Sequence, residues 1–374
     1  MQPAETTPPR TLGWLGAAVL ACLLVFGING GPLTYYDTAA YLNRGGQILA
    51  KAGVQPLATI TGLHGDPAPA AGDAVGNNAQ PAAPAKTADV SRSMVYALLL
   101  AVFAAAHALE GVVLVNALIA TFALWLPIHI LLRERIVNER RLDAGMLTFA
   151  AVAVGLLGSL SFYVAYLMPD IFTPVLLLIA ATLTACAPRM RRGELAACLL
   201  LGGLAVMAHT SHLAIAALLV PIVLAGSLLL GGPRRWLAPL LFAAIALIGF
   251  AQEGAVRLAV SKVEKAEAVY LPFLTARLIK DGPGLAYLNA HCPNPAIPTC
   301  ALHAALQRST DPWRLTATHI IFERSARLGS FRLMPERDQQ AVAAGQVHFF
   351  LAVFADRPIE TTTGCCAIWR YRRR

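Results

Sequence analysis

Asp37, Asp170, His209 and His212 stand at the ends of long apolar runs in a chain with few charges. A carboxylate at membrane depth costs about 2.5 to 3.5 kcal/mol on insertion scales, so acids so placed mark a candidate site for proton-transfer chemistry. Asp37 lies in GPLTYYDTAAYLNR, in the same part of the outer loop as Tyr41 and Arg44. His209 and His212 (AHTSHL) are an i, i+3 pair suited to holding substrate or metal, although no HExxH pattern accompanies them. Arg277 and Lys280, in LPFLTARLIKDGPGLAYL, punctuate an amphipathic stretch and are candidate partners for a lipid phosphate. Each residue also has a plain structural reading. Asp37 and Asp170 suit helix N-caps, the two histidines suit helix ends at an interface, and Arg277 and Lys280 suit snorkelling anchors.

The elements that must position these groups follow from composition. Hydrophobic residues make up 57% of the chain and charged ones 14%, with a mean hydropathy of +0.59, whereas soluble domains carry about 25% charge. An all-α polytopic membrane protein is predicted, with about seven transmembrane helices of roughly 17 to 25 residues. Their expected ranges are 12–28, 111–132, 145–168, 171–187, 195–208, 213–230 and 236–250. An interfacial helix over 93–106 is expected before the second span, with His107 and Glu110 at the polar junction. The net charge of +9 does not signal nucleic acid, because the basic residues gather in short clusters without interleaved aromatics.

Those clusters orient the helices. Arg133, Arg135, Arg140 and Arg141, then Arg189, Arg191 and Arg192, then Arg234 and Arg235 occupy alternate loops, which the positive-inside rule assigns to the cytoplasm. The N-terminus is then cytoplasmic, and Asp37, Asp170, His209 and His212 all fall on the outer face, at the periplasm if the membrane is a bacterial inner membrane. The outer loop 30–92 ends in an Ala/Pro/Gly-rich stretch, 66–89, that reads as a flexible linker. The membrane region is expected to close at residue 256, with a small extracytoplasmic segment over 257–374. There, residues 271–288 read as an amphipathic helix on the outer leaflet closed by a Gly/Pro turn. Cys292 and Cys300 (CPNPAIPTC) are a disulfide candidate in an oxidising compartment.

At Asp37 the chain resembles a known family. An acid just after the first helix, a second acid at an outward turn (SFYVAYLMPDIF) and a further polar outward turn (AHTSHL) are similar to the GT-C superfamily of integral-membrane glycosyltransferases. The nearer branch contains protein mannosyltransferases and lipid A aminoarabinose transferases. The resemblance implies Asp37 in the catalytic position, Asp170 in support, a polyprenyl-phosphate-linked sugar as donor and a lipid or glycan acceptor in the cell envelope. Tyr41, Arg44, His209, His212, Arg277 and Lys280 would then line the substrates, with a divalent metal between the two aspartates as an open question. Members generally have more spans and an acidic pair where Asp37 stands alone. Together with the arginine-rich, cysteine-bearing end beyond about residue 358, this reads as a truncated or frame-altered product. Two other classes fit the same polar pattern: a secondary transporter, and a non-catalytic membrane assembly or lipid-binding protein.

Overall fold

The computed structural model describes residues 8–51, 53–54, 87–134, 143–232, 234–323 and 329–366. Linker residues 66–86, Arg135, Arg140, Arg141 and the terminal 367–374 lie outside the described residues. The chain divides into two compact units: residues 1–76 with 92–256, and residues 77–91 with 257–374.

Among the described residues, the first unit is built of helices. Its elements are α1 (Pro8–Cys22), α2 (Leu24–Asn29), α3 (Tyr36–Lys51), α4 (Met94–Ala105), α5 (Glu110–Arg133), α6 (Ala144–Leu156), α7 (Leu160–Ala165), α8 (Phe172–Cys186), α9 (Arg192–Ala208), α10 (Thr210–Leu230) and α11 (Leu237–Ala259). Four segments are long and apolar enough to cross a membrane: Glu110–Arg133, Pro169–Arg189, Thr210–Leu230 and Leu237–Glu264. They correspond to four of the expected spans, and the chain has the character of an integral membrane protein.

The other three expected spans take different forms. Residues 12–28 form α1 and the six-residue α2, which ends where Gly30 adopts φ 72°, a left-handed cap that suits glycine. The expected span 145–168 breaks between α6 and α7, where Gly155, Gly158 and Ser159 sit close together. Glycine costs about 1 kcal/mol in a helix interior and serine competes for backbone bonds, so the run turns at Leu157 instead of continuing. The 17 residues of α9 reach about 25 Å at 1.5 Å per residue, short of the roughly 30 Å hydrocarbon layer.

Polar latches fix the helices where apolar packing alone is indifferent to register. Asp143 caps α6 by accepting from the N–H groups of Gly145 (2.7 Å) and Met146 (3.1 Å), and it also accepts from the Thr11 hydroxyl at 2.6 Å. Asn116, fully buried in α5, donates to the carbonyl of Val164 at 3.2 Å. Between α3 and α4 the backbones approach closely at Gly45, where a Cβ would run into the Ala97 carbonyl and stand 2.6 Å from Ala101 Cβ. Small residues at such crossings let helices meet when lipid offers no hydrophobic drive to associate. The core beneath is Tyr41, Tyr96, Leu100, Val112, Leu126, Phe172, Ile179 and their neighbours.

The second unit contains a two-stranded parallel ribbon of β1 (Thr87–Asp89) and β2 (Glu267–Val269), followed by α12 (Phe273–Asp281), α13 (Pro283–His291), α14 (Thr299–Leu306), α15 (Ala317–Phe322), α16 (Glu336–Asp356) and α17 (Pro358–Cys366). The linker expected over 66–89 therefore ends in ordered structure. Strand pairing is made by main-chain groups and needs no bulky apolar side chain, which is why an Ala/Asp-rich sequence hid it. Ser91 extends the join by accepting from the Leu271 N–H at 2.6 Å.

The expected amphipathic helix over 271–288 is two helices, parted at Gly282 (φ 106°). Its apolar face is largely spoken for: Leu271, Ala276, Leu278 and Ile279 are buried in a second core with Leu302, Ile320, Phe331 and Phe349, leaving Phe273 and Leu274 exposed. Helix packing within the unit, and not a lipid surface, takes up most of that face. Cys292 and Cys300 form a disulfide across the short Pro-rich loop between α13 and α14.

Candidate functional site

Asp37 lies in the first turn of α3, and Arg92 immediately precedes the Ser93 cap of α4. Arg92 Nη2 meets Asp37 Oδ1 at 2.6 Å, with the two side chains 23% and 30% exposed. Both are shielded enough to be oriented and open enough to be reached by a ligand. Arg92 is a functional candidate that the sequence reading passed over. Residue type gave no signal there, since the same outer loop also carries Arg44, Lys51 and Lys86.

The main chain brings the second acid to this pair. After Gly30 the backbone of Leu33 bridges the turn beyond α7: its N–H donates to the Ala165 carbonyl and its carbonyl accepts from the Leu167 N–H, each at 2.9 Å. Thr38, fully buried beside Asp37, donates its hydroxyl to the Leu167 carbonyl at 3.2 Å. Asp170 follows three residues later, exposed in the first turn of a short 3-10 helix that leads into α8. Ser93 supplies the third tie by donating its hydroxyl to the Met207 carbonyl at 2.6 Å, which draws the end of α9 and His209 to the start of α4.

The resulting cluster is electrostatically coupled. His209, at the corner between α9 and α10, feels the charges of Asp170, Asp37 and Arg92, and Tyr41 feels the same three. Its Nδ1 accepts from the Ser211 N–H at 3.1 Å, so the neutral ring carries its proton on Nε2. Burial pushes this imidazole below its ordinary pKa; the His212 ring and Arg92 push the same way, while Asp170 and Asp37 oppose them. Burial likewise pushes the Tyr41 phenol up, so it remains protonated; Arg92 opposes this shift and the two aspartates add to it. Tyr41 packs edge-on against Tyr96, with ring centroids 5.4 Å apart, and Tyr96 packs against Phe172 at 6.3 Å. Tyr41 thus serves as much as a floor under the cluster as a polar group within it.

His209 yields a pH prediction. The unfolded chain protonates this histidine near pH 6.5, while the folded ring resists protonation. Its contribution to stability is therefore complete above that pH and is lost as pH falls through the depressed folded value. The thermal midpoint of the detergent-purified protein should drop between pH 7 and pH 5.5, and His209→Gln should flatten that drop. An unchanged slope in the variant would remove His209 as its source.

The remaining expected residues are placed as follows. His212 is buried in α10 rather than facing a ligand, its Nδ1 against the Ala205 carbonyl (2.7 Å) and its Nε2 against the Thr173 hydroxyl (2.6 Å). Both ring nitrogens are engaged, so it joins α8, α9 and α10 and is not available as a metal ligand. Arg44 lies on α3 seven positions beyond Asp37, with Nη1 3.4 Å from Gln47 Oε1. Arg277 and Lys280 belong to the second unit. There Arg277 Nε donates to Asp281 Oδ2 at 2.6 Å within α12, and Lys280 is exposed. Among the described residues no group of three or more His, Cys, Asp or Glu side chains is placed to hold a metal ion. Asp37 and Asp170 alone fall short of a cation site.

The cluster offers a carboxylate, a guanidinium, a second carboxylate and a neutral imidazole at one end of an apolar helical unit. That set suits proton removal beside a stabilised anion. No protein-family model, curated protein or solved structure matches the chain.

Proposed function

We propose that this protein is a membrane glycosyltransferase of the GT-C type, which moves a sugar from a polyprenyl-phosphate donor to a lipid or glycan acceptor of the cell envelope. The observation that carries the reading is the Asp37–Arg92 pair, with Asp170 and His209 within electrostatic reach, at the end of a helical unit apolar enough to lie beside a prenyl chain. In the proposed reaction the Asp37 carboxylate takes the acceptor hydroxyl proton while the acceptor oxygen bonds to the anomeric carbon. The bond from that carbon to the phosphate oxygen breaks, and polyprenyl phosphate departs with the electron pair. Charge spreads toward an oxocarbenium-like state on the sugar and collects on the phosphate, where a guanidinium offers two parallel donors. Arg92 is assigned that role, and Arg44, on the same helix as Asp37, is assigned the outer part of the phosphate path. Asp170 orients the acceptor, and His209 Nε2–H is a donor to the sugar.

The positive-inside reading completes the proposal: the N-terminus lies in the cytoplasm of a bacterial inner membrane and the cluster faces the periplasm. The test compares, by mass spectrometry, envelope glycans and glycolipids from cells with and without the gene. One glycosylated product should disappear without the gene and return when it is restored. Identical profiles under conditions where the protein is abundant would overturn the assignment.

A further inference from the structure

The first unit holds a second polar feature that takes no part in the reaction proposed above. Where α8 ends, α10 ends and α11 begins, a cavity of about 320 Å³ is lined by Arg189, Arg234, Arg235, Thr184, Ser227 and Leu230 among others. Its volume lies at the lower end of the roughly 300 to 1,000 Å³ usual for small-ligand pockets. We propose that it is a binding site for the phosphate of an anionic phospholipid headgroup.

Charge comes first. Three arginines line this cavity and, among the described residues, no carboxylate does. The carbonyl ends of α8 and α10 lie here too, but each contributes about half a negative charge, roughly one in all against three positive charges. The site is cationic on balance, and its mutual repulsion is relieved by an anion. A guanidinium has five N–H donors arranged to grip phosphate oxygens in pairs. Arg234 uses one at 3.5 Å on the Pro188 carbonyl, which holds its arm at the rim.

An independent observation points the same way. Ser227, 4% exposed, lines the cavity, and its hydroxyl has no hydrogen-bond partner. Helical serine and threonine ordinarily bond the carbonyl four residues back, as Thr184 does to Ala180 at 2.7 Å. A buried hydroxyl without a partner destabilises the fold, because it has given up water and gained nothing in return. A phosphate oxygen in the cavity would relieve that cost. Topology explains arginines in this loop, but it does not explain a cavity with an orphan hydroxyl in its wall.

The surroundings favour a lipid over free phosphate. Leu230, on the cavity wall, is 66% exposed, and Trp236 is 51% exposed beside it in sequence to Arg235, whose guanidinium carbon lies 5.9 Å from the indole centroid. Apolar and indole surface next to a cationic cavity matches the junction between acyl chain and headgroup.

The test uses the full chain in neutral detergent, with binding read by native mass spectrometry and by thermal midpoint. The probes are phosphatidylglycerol, phosphatidylcholine and inorganic phosphate. Phosphatidylglycerol should be retained and should raise the midpoint, while phosphatidylcholine and inorganic phosphate should do neither. Ser227→Ala, and separately the triple variant R189K/R234K/R235K, which keeps charge and topology, should each weaken phosphatidylglycerol binding, the triple by about tenfold through loss of paired donors. Equal retention of both lipids, or phosphatidylglycerol binding untouched by either variant, would overturn the site. Variant-sensitive binding of inorganic phosphate without lipid preference would overturn the lipid source and assign the cavity to a free anion.

Discussion

Asp37→Asn should lower glycosyl transfer by about 10²- to 10⁴-fold, the span usual for removal of a general base, while leaving the amount of folded protein unchanged. Asparagine keeps the shape of the side chain and removes its charge and basicity. The structural loss is small, because the pair with Arg92 is partly solvent-exposed, and such pairs contribute about 1 kcal/mol or less. The fold around Asp37 is held instead by Thr38 and by the Leu33 backbone, which the substitution leaves in place. Turnover of a labelled polyprenyl-phosphate sugar in proteoliposomes, read beside the thermal midpoint, separates the two effects. Transfer that persists in a normally folded variant would remove Asp37 from the mechanism.

Gly45→Ala should be as damaging to transfer although it touches no substrate. Alanine is favoured over glycine in a helix by about 1 kcal/mol, and that gain is overtaken here. The new methyl group would collide with the Ala97 carbonyl and stand 2.6 Å from Ala101 Cβ, both on α4. Main-chain oxygen cannot rotate away, so the two helices must separate, and overpacking of this kind costs about 1 to 3 kcal/mol. Helix α3 carries Asp37, and α4 begins just after Arg92, so a parting of these helices loosens the pair that the proposed reaction needs. The expected readout is a lowered thermal midpoint together with lost transfer. Gly13→Ala, inside α1 with nothing within 4 Å of the added methyl, should leave transfer unaffected and hold or slightly raise the midpoint. A Gly45→Ala protein with wild-type midpoint and transfer would show that the helix crossing is not rigid.

Much of the helical content was legible in the sequence, since length and hydropathy alone identify the four segments fit to span a membrane. What sequence could not give was where an apolar run stops being one helix. Residues 145–168 are uniformly apolar by composition, yet Gly155, Gly158 and Ser159 break them into α6 and α7. The resulting turn is the piece that Leu33 grasps. The strand at Thr87–Asp89 was hidden because its partner lies some 180 residues away, at Glu267–Val269, and pairing by main-chain atoms leaves little trace in side-chain type. For the same reason Arg92 was passed over. Its significance lies in a 2.6 Å approach to a residue 55 positions earlier, which no local pattern encodes. His212 shows the converse, a residue with suggestive spacing whose two nitrogens are consumed in joining helices.

The grip that Leu33 exerts on residues 165 and 167 is made wholly of peptide groups. Amide hydrogens and carbonyl oxygens are common to nearly every amino acid, so the identity of the Leu33 side chain is not what makes these two bonds. Position 33 can exchange its side chain and keep both of them, with one exception: proline, which has no N–H to offer the Ala165 carbonyl.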